Sequence, residues 1–345
     1  MTILRRLSGC AAALILLGLP CVAGGQTAGE FFKGKTISLW IGFGVGGEDD
    51  LWARSIARYL GNHLPGNPTV LPQNVPGSGG LLVADRLYNT APKDGTVIGL
   101  INRGIPFEPL LGGQGDQFDA LKFNYIGSPG RDTTVCAARK DAEVKTMQDL
   151  YGKQLTVGGT GSGADTAIYP QFLAALLGMK FKLVLGYKGS HDIQLAMERN
   201  EVQGICLAYD SLQRGTLARE HQINVLLQAS LEPDPRLTGI PYGLEFARGP
   251  QERAALQLFF TRASIGRPFV APPGVPADRI ATLRQAFDAT LRDPAFLADA
   301  DKQKLRVVPI SGQQIGALIA EAYKAPPAIV KRTMQAMGRA ADRSN

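Results

Sequence analysis

The 345-residue chain holds only four cysteines, three histidines and two tryptophans, and aromatic residues make up 7% of it. His63, His191 and His221 stand apart, and neither His-x-x-x-His nor Cys-x-x-Cys occurs, so the chain has little material for a metal site. Lysines and arginines are scattered singly, without the basic stripe and interleaved aromatics of a nucleic-acid surface. No segment reaches the ~18 uninterrupted apolar residues of a membrane helix. A nucleophile elbow is also missing. Ser78 and Ser162 lie in glycine-rich turns, but Pro76 and Thr160 stand two residues before them where G-x-S-x-G needs glycine. These gaps argue against a catalyst and against any cofactor.

What remains is an ordinary globular composition, 45% apolar and 19% charged, in a chain long enough for two domains. The 41 glycines and 22 prolines point to many tight loops. Arg5 and Arg6 precede the apolar stretch Ala11 to Leu19, and Ala23, Gly24 and Gly25 follow. This is the pattern of a cleaved secretory leader over residues 1–25, so the mature protein is expected to be exported to the periplasm. Its loss lowers the formal charge from +7 to +5 and leaves Cys136 and Cys206. An exported pair allows one disulfide. Two buried thiols acting as small hydrophobes is the favoured expectation, because spacing alone cannot supply the bond geometry.

Strand and helix signals alternate along most of the chain, the pattern of an α/β protein with parallel sheets. Strands are predicted at Thr36 to Ile41, Thr69 to Leu71, Val97 to Ile101, Gln154 to Val157, Lys182 to Leu185, Gly204 to Ala208 and Arg306 to Ile310. Helices are predicted from about Asp50 to His63, Leu82 to Thr90, Thr166 to Leu177 and His191 to Asn200. Asp293-Pro294 and Ser311 read as caps of later helices. Two similar α/β units with a helical tail suggest two lobes around a cleft.

Two loops carry the chemistry. Gly42-Phe43-Gly44-Val45-Gly46-Gly47 fits G-x-G-x-x-G between a strand and a helix. A dinucleotide reading fails at the next strand, which ends in Pro72-Gln73-Asn74 where an acid should meet the ribose. The physical content of the loop survives that failure, because glycines expose amides and a helix N-terminus carries roughly half a positive charge. Gly159-Thr160-Gly161-Ser162-Gly163 repeats the arrangement in the second unit. One turn from each lobe is expected to grip a shared small anion.

Together with these turns, Gly34-Lys35-Thr36-Ile37, Gln73-Asn74-Val75-Pro76-Gly77-Ser78-Gly79, Ala91-Pro92-Lys93-Asp94-Gly95 and Gly186-Tyr187-Lys188-Gly189-Ser190 form a recognisable set. The chain resembles the extracytoplasmic solute-binding receptors of tripartite tricarboxylate transporters, the TctC or Bug family, over essentially its whole mature length. The resemblance implies a type II periplasmic-binding fold, two α/β lobes joined by two crossings near Gly127 to Arg131 and Ile265 to Arg267. Domain 1 would comprise residues 29–127 plus 266–345, and domain 2 residues 128–265. It also implies a monomer that captures a small organic carboxylate, or an amino acid, and hands it to a membrane permease. Carried over motif by motif, the ligand contacts are Phe43, Gly46, Gly47, Asp50, Ser78, Asn102 and Arg103 in the first lobe. From the second lobe come Thr160, Gly161, Ser162, Asp165, Ser190, Asp192 and Asp210.

One departure stands out. The family pattern places a glycine and then a tyrosine or threonine where this chain has Glu48 and Asp49. Acids beside an anion site repel a carboxylate, so both are expected to turn outward and charge the helix start. Asp50 is expected near the ligand and within reach of Arg54 at i+4. Arg103 is then the natural counter-charge for a distal carboxylate. A ligand with a cationic group is the sharper alternative. An exported enzyme acting on a carboxylic acid, or a sensor presenting its closed form to a signalling partner, remains a competing function.

Overall fold

The computed structural model describes residues 28–113, 118–161 and 163–339. The expected leader and Ser162 lie outside the described residues. Strands β1 (Thr36–Ile41), β2 (Thr69–Asn74), β3 (Val97–Leu100) and β4 (Asn124–Ser128) begin a first sheet. A second sheet follows in β5 (Thr134–Arg139), β6 (Leu155–Gly159), β7 (Phe181–Leu185), β8 (Gly204–Ala208) and β9 (Ile223–Ala229). The chain then returns through β10 (Phe269–Ala271) and β11 (Ile310–Ser311). The sheet orders are β11-β4-β10-β3-β1-β2 and β7-β6-β8-β5-β9.

Strand patterning explains which positions are central. In β1, Ile37, Leu39 and Ile41 are buried and alternate with more open neighbours, the period-2 signal of one core-facing side. Every residue of β3 and β8 is buried, as expected for strands covered on both faces. Gly99 in β3 lets helix Leu81–Asn89 lie close, since a Cβ there would meet Leu87 Cδ1 at 2.4 Å. Trp52 and Ile56 from helix Glu48–Leu60 share a core with Leu283, Phe287 and Phe296 of the later helices. Around the second sheet Phe172 and Phe259 stack with ring centroids 3.8 Å apart.

Three expectations need correction. The sheets are mixed rather than parallel: β5 runs antiparallel to β8 and β9, and β10 antiparallel to β3 and β4. These two are the first strands after each crossing, so they enter their sheets from the opposite lobe and run against the βα-connected strands. The strand expected at Arg306 to Ile310 is reduced to Ile310–Ser311. The last helix, Pro327–Ala336, does not stay with the first sheet. It packs on helices Asp165–Leu177 and Pro250–Ser264, because Ile329, Val330 and Met334 join that apolar cluster and Arg332 reaches Glu252 at 2.9 Å.

The two crossings touch. Arg267 N–H donates to Ser128 Oγ at 2.8 Å, and Asp132 N–H donates to the Ala263 carbonyl at 3.1 Å. Gly266 adopts φ +56°, and a Cβ there would fall 1.8 Å from the Gly130 carbonyl oxygen. No side chain fits at this contact.

Cys136 and Cys206 are directly paired across β5 and β8, with their Cα atoms 4.0 Å apart, and form a disulfide. This overturns the buried-thiol expectation. Register decides it, and register is a pairing between strands 70 residues apart. Because the bond closes a long loop, reducing it or substituting Cys136→Ser should destabilise the protein by about 2–4 kcal/mol. Urea unfolding with and without reductant measures this; equal midpoints would show that the bond contributes nothing.

Candidate ligand cleft between the lobes

The C-terminal ends of β1, β3, β6, β7 and β8 open onto one cleft of about 480 Å3, where open α/β sheets place their ligands. The first wall is the turn Phe43 to Asp49 with Asn102 and Arg103. The second wall is Thr160, Ala164 to Thr166 and Lys188 to Asp192, with Leu207, Ala208 and Ser211. Asp132, Gly266 and Arg267 form the floor from the crossings. Three helices, Glu48–Leu60, Asp165–Leu177 and Ser190–Glu198, start at this cleft. Their N-cap residues Gly47, Ala164 and Gly189 all line it, and none supplies a side-chain cap. Uncapped first turns leave amide hydrogens and partial positive charge directed at the same space.

A network of ion pairs runs beneath those amides. Arg267 reaches Glu48 at 2.8 Å, Asp132 at 2.9 Å and Asp49 at 3.4 Å. Glu48 also takes Arg214 at 2.7 Å and accepts from the Ser211 hydroxyl, tying the first lobe to the second. Arg103 donates to Asp132 at 2.8 Å, to Thr134 Oγ1 at 3.2 Å and to Asp165. Arg262, behind the wall, lies 3.8 Å from Asp165. Burial works against the charge on Arg103 and Arg267, but their carboxylates outweigh it and hold both guanidiniums firmly protonated. Burial pushes the Asp132 carboxyl upward, and Arg267 and Arg103 bring it back below its ordinary value.

Asp49 is the loose member. Burial raises its carboxyl to about 6; Arg267 opposes the shift, and Glu48 and Asp132 add to it. Arg267 Nε, the atom nearest to Asp49, makes no hydrogen bond. Lys188 and Asp192 line the cleft without an ion-pair partner among the described residues.

Several expected contacts are relocated. Phe43, Gly46, Gly47, Asn102, Arg103, Thr160, Asp165, Ser190 and Asp192 line the cleft. Ser78 and Gly161 line an adjoining hollow that shares Asn102, Thr160 and Lys188 with it. Asp50 does not face the cleft. It is buried, accepting from the Gly46 amide and Arg54 at 2.9 Å and from Asn74 at 2.8 Å. Burial pushes its carboxyl up, yet these donors hold it below the ordinary value. Glu48 and Asp49, expected to turn outward, point inward instead, so the two roles are exchanged. Asp210 pairs with Arg236 rather than completing the wall. Arg103 is already matched by Asp132 and Asp165, so it offers no open counter-charge. Of the histidines, His191 lines the cleft, while His63 bonds Asp293 at 2.9 Å. Sequence reasoning missed Asp132, Ser211, Arg214 and Arg267, whose partners are distant in the chain.

Two lobes, two crossings and a polar cleft at the strand ends define a solute-binding protein of the type II periplasmic class. Residues 53–334 match the tripartite tricarboxylate transporter family receptor, TctC, and the chain belongs to that family. The UPF0065 protein in the gbd 5′ region of Cupriavidus necator is 25% identical over 332 residues, covering 94% of this chain and 95% of that one. MatC from Rhodopseudomonas palustris, solved with bound malate, superposes with a TM-score of 0.65 at 19% identity, covering 89% of this chain and all of that one. A second R. palustris protein, solved with adipate, has a TM-score of 0.64 at 18% identity, covering 86% and 97% of the two chains. At these identities the solved structures establish the fold. Among the described residues no helix is long and apolar enough to cross a membrane, and no cluster of metal-ligating side chains occurs.

Arg267→Met strips Asp49 of its ion-pair partner and leaves Glu48 and Asp132 with Arg214 and Arg103 alone, and should destabilise by about 3–5 kcal/mol in urea unfolding; a loss below about 1 kcal/mol would show that the network is not what holds the crossings. Asp49 binds its proton more tightly folded than unfolded, so its contribution is present below pH 3.8 and lost as pH rises through about 6. Asp49→Asn should therefore raise the melting temperature at about pH 8 and not at about pH 4. The opposite order would show that Asp49 is ionised and well paired.

Proposed function

We propose that this protein is an exported, monomeric receptor that closes its lobes on a small organic carboxylate and delivers it to the permease of a tripartite transporter. Residues 1–25 act as the export leader and are removed. Domain 1 is residues 29–127 plus 266–345, its last helix Pro327–Ala336 reaching across to pack on the second lobe, and domain 2 is residues 128–265. The protein binds without turnover and needs no cofactor.

The observation that carries this reading is the convergence of three uncapped helix N-termini on one cleft, two from the second lobe and one from the first. Each supplies roughly half a positive charge and unpaired amide donors, a ready seat for a carboxylate. Only the closed arrangement offers all three at once, so a carboxylate stabilises closure by binding that state better. The malate and adipate held by the two R. palustris relatives support the same ligand class. Lys188, beside the N-terminus at Ser190, adds an exposed cation at the cleft wall.

Thermal unfolding against a panel of mono-, di- and tricarboxylates and amino acids tests the proposal. A true ligand at 100 times its dissociation constant stabilises by about 2.7 kcal/mol. No shift with any acid, or steady turnover of one, would remove the receptor reading.

A further inference from the structure

The amide seat accounts for one carboxylate; the rest of the cleft is spoken for. Five acids line it, Glu48, Asp49, Asp132, Asp165 and Asp192, against the cations Arg103, Arg267 and Lys188. Both arginines are already engaged by the chain's own carboxylates, Arg103 by Asp132 and Asp165, and Arg267 by Glu48, Asp49 and Asp132. Arg214, reaching in from the second lobe, is engaged by Glu48. Among the described residues Lys188 is the one cleft cation without a carboxylate partner, and it adjoins the seat that the first carboxylate takes. On the opposite wall Asp49 is only loosely held, and on the same wall Asp192 is unpaired.

We propose that the cleft selects a monocarboxylate whose remaining part is neutral or cationic, and that Glu48 enforces this by occupying the arginines a second ligand carboxylate would need. This rests on the receptor reading and narrows its ligand class. Glu48 is a tethered carboxylate placed on Arg214, Arg267 and Ser211, which together form the kind of donor set that grips an incoming acid. A dicarboxylate whose first end takes the amide seat beside Lys188 must either displace Glu48, leaving it half-buried without its partners, or set its second charge against Asp49 and Asp192. Both routes cost affinity. A methyl end meets neither penalty, and an ammonium end gains from the same two acids.

The test uses the mature protein and matched straight-chain acids of four, five and six carbons, whose far end is methyl, ammonium or carboxylate. Isothermal titration at about pH 7.5 should show the best methyl- or ammonium-ended acid binding at least about tenfold tighter than the dicarboxylate of its length. Glu48→Gln should reduce that preference to within about threefold by freeing Arg267 and Arg214 for the second carboxylate. If Glu48→Gln fails to fold, Asp49→Asn should move the preference in the same direction. Dicarboxylates that bind as tightly as the monoacids in the wild type, or an unchanged ratio in the folded variant, would overturn this inference while leaving the receptor reading intact. Failure of every acid in the series to bind would remove both.

Discussion

The Arg267 guanidinium is the contact on which the rest of the molecule depends. It leaves the second crossing between the lobes and binds Asp132 on the first crossing, together with Glu48 and Asp49 at the start of a first-lobe helix. A buried cation shared by three acids fixes both crossings against each other and aims the helix Glu48–Leu60 at the cleft. Gly266 allows that approach, since any side chain there would strike the Gly130 backbone. Arg103 repeats the device one layer away, joining the first lobe to Asp132 and to Asp165 of the second.

This arrangement separates two kinds of positive charge. The side-chain cations are consumed in holding the lobes and crossings together, so their effect on a ligand is largely cancelled. The partial positive charges of the backbone, at the uncapped first turns beginning at Gly47, Ala164 and Gly189, remain open. A cleft built this way reads a carboxylate through amides, whose charge is partial and fixed in direction, and resists a second one through Glu48, Asp49 and Asp192. Selectivity then follows from which donors the protein has already used.

Much of the frame was legible in the chain. The Thr36 to Ile41 strand, the Gly204 to Ala208 strand, the Asp293 cap and the Ser311 cap are all local, set by side-chain period and by residues within one turn. The first glycine turn was legible as a cleft wall for the same reason; of the second, Thr160 lines the cleft while Gly161 and Gly163 line the adjoining hollow. The ion network was not, because Glu48 finds Arg214 and Arg267 across more than 160 intervening residues. Nor could local rules choose between Asp50 and its two predecessors. Adjacent acids at a helix start look alike until Asn74, from the neighbouring strand, joins Arg54 in drawing the third one away from the cleft. The disulfide and the placement of the last helix failed for a similar cause, since both are decided by partners far away in the chain.

The most direct measurement is a crystal structure of the protein with the tightest-binding carboxylate bound. The expected result places a carboxylate within hydrogen-bonding distance of the amides that open helices Glu48–Leu60, Asp165–Leu177 and Ser190–Glu198, with Arg267 still on Glu48 and Asp132. A carboxylate seated on Arg267 with Glu48 swung away, or bound outside the cleft, would contradict the account.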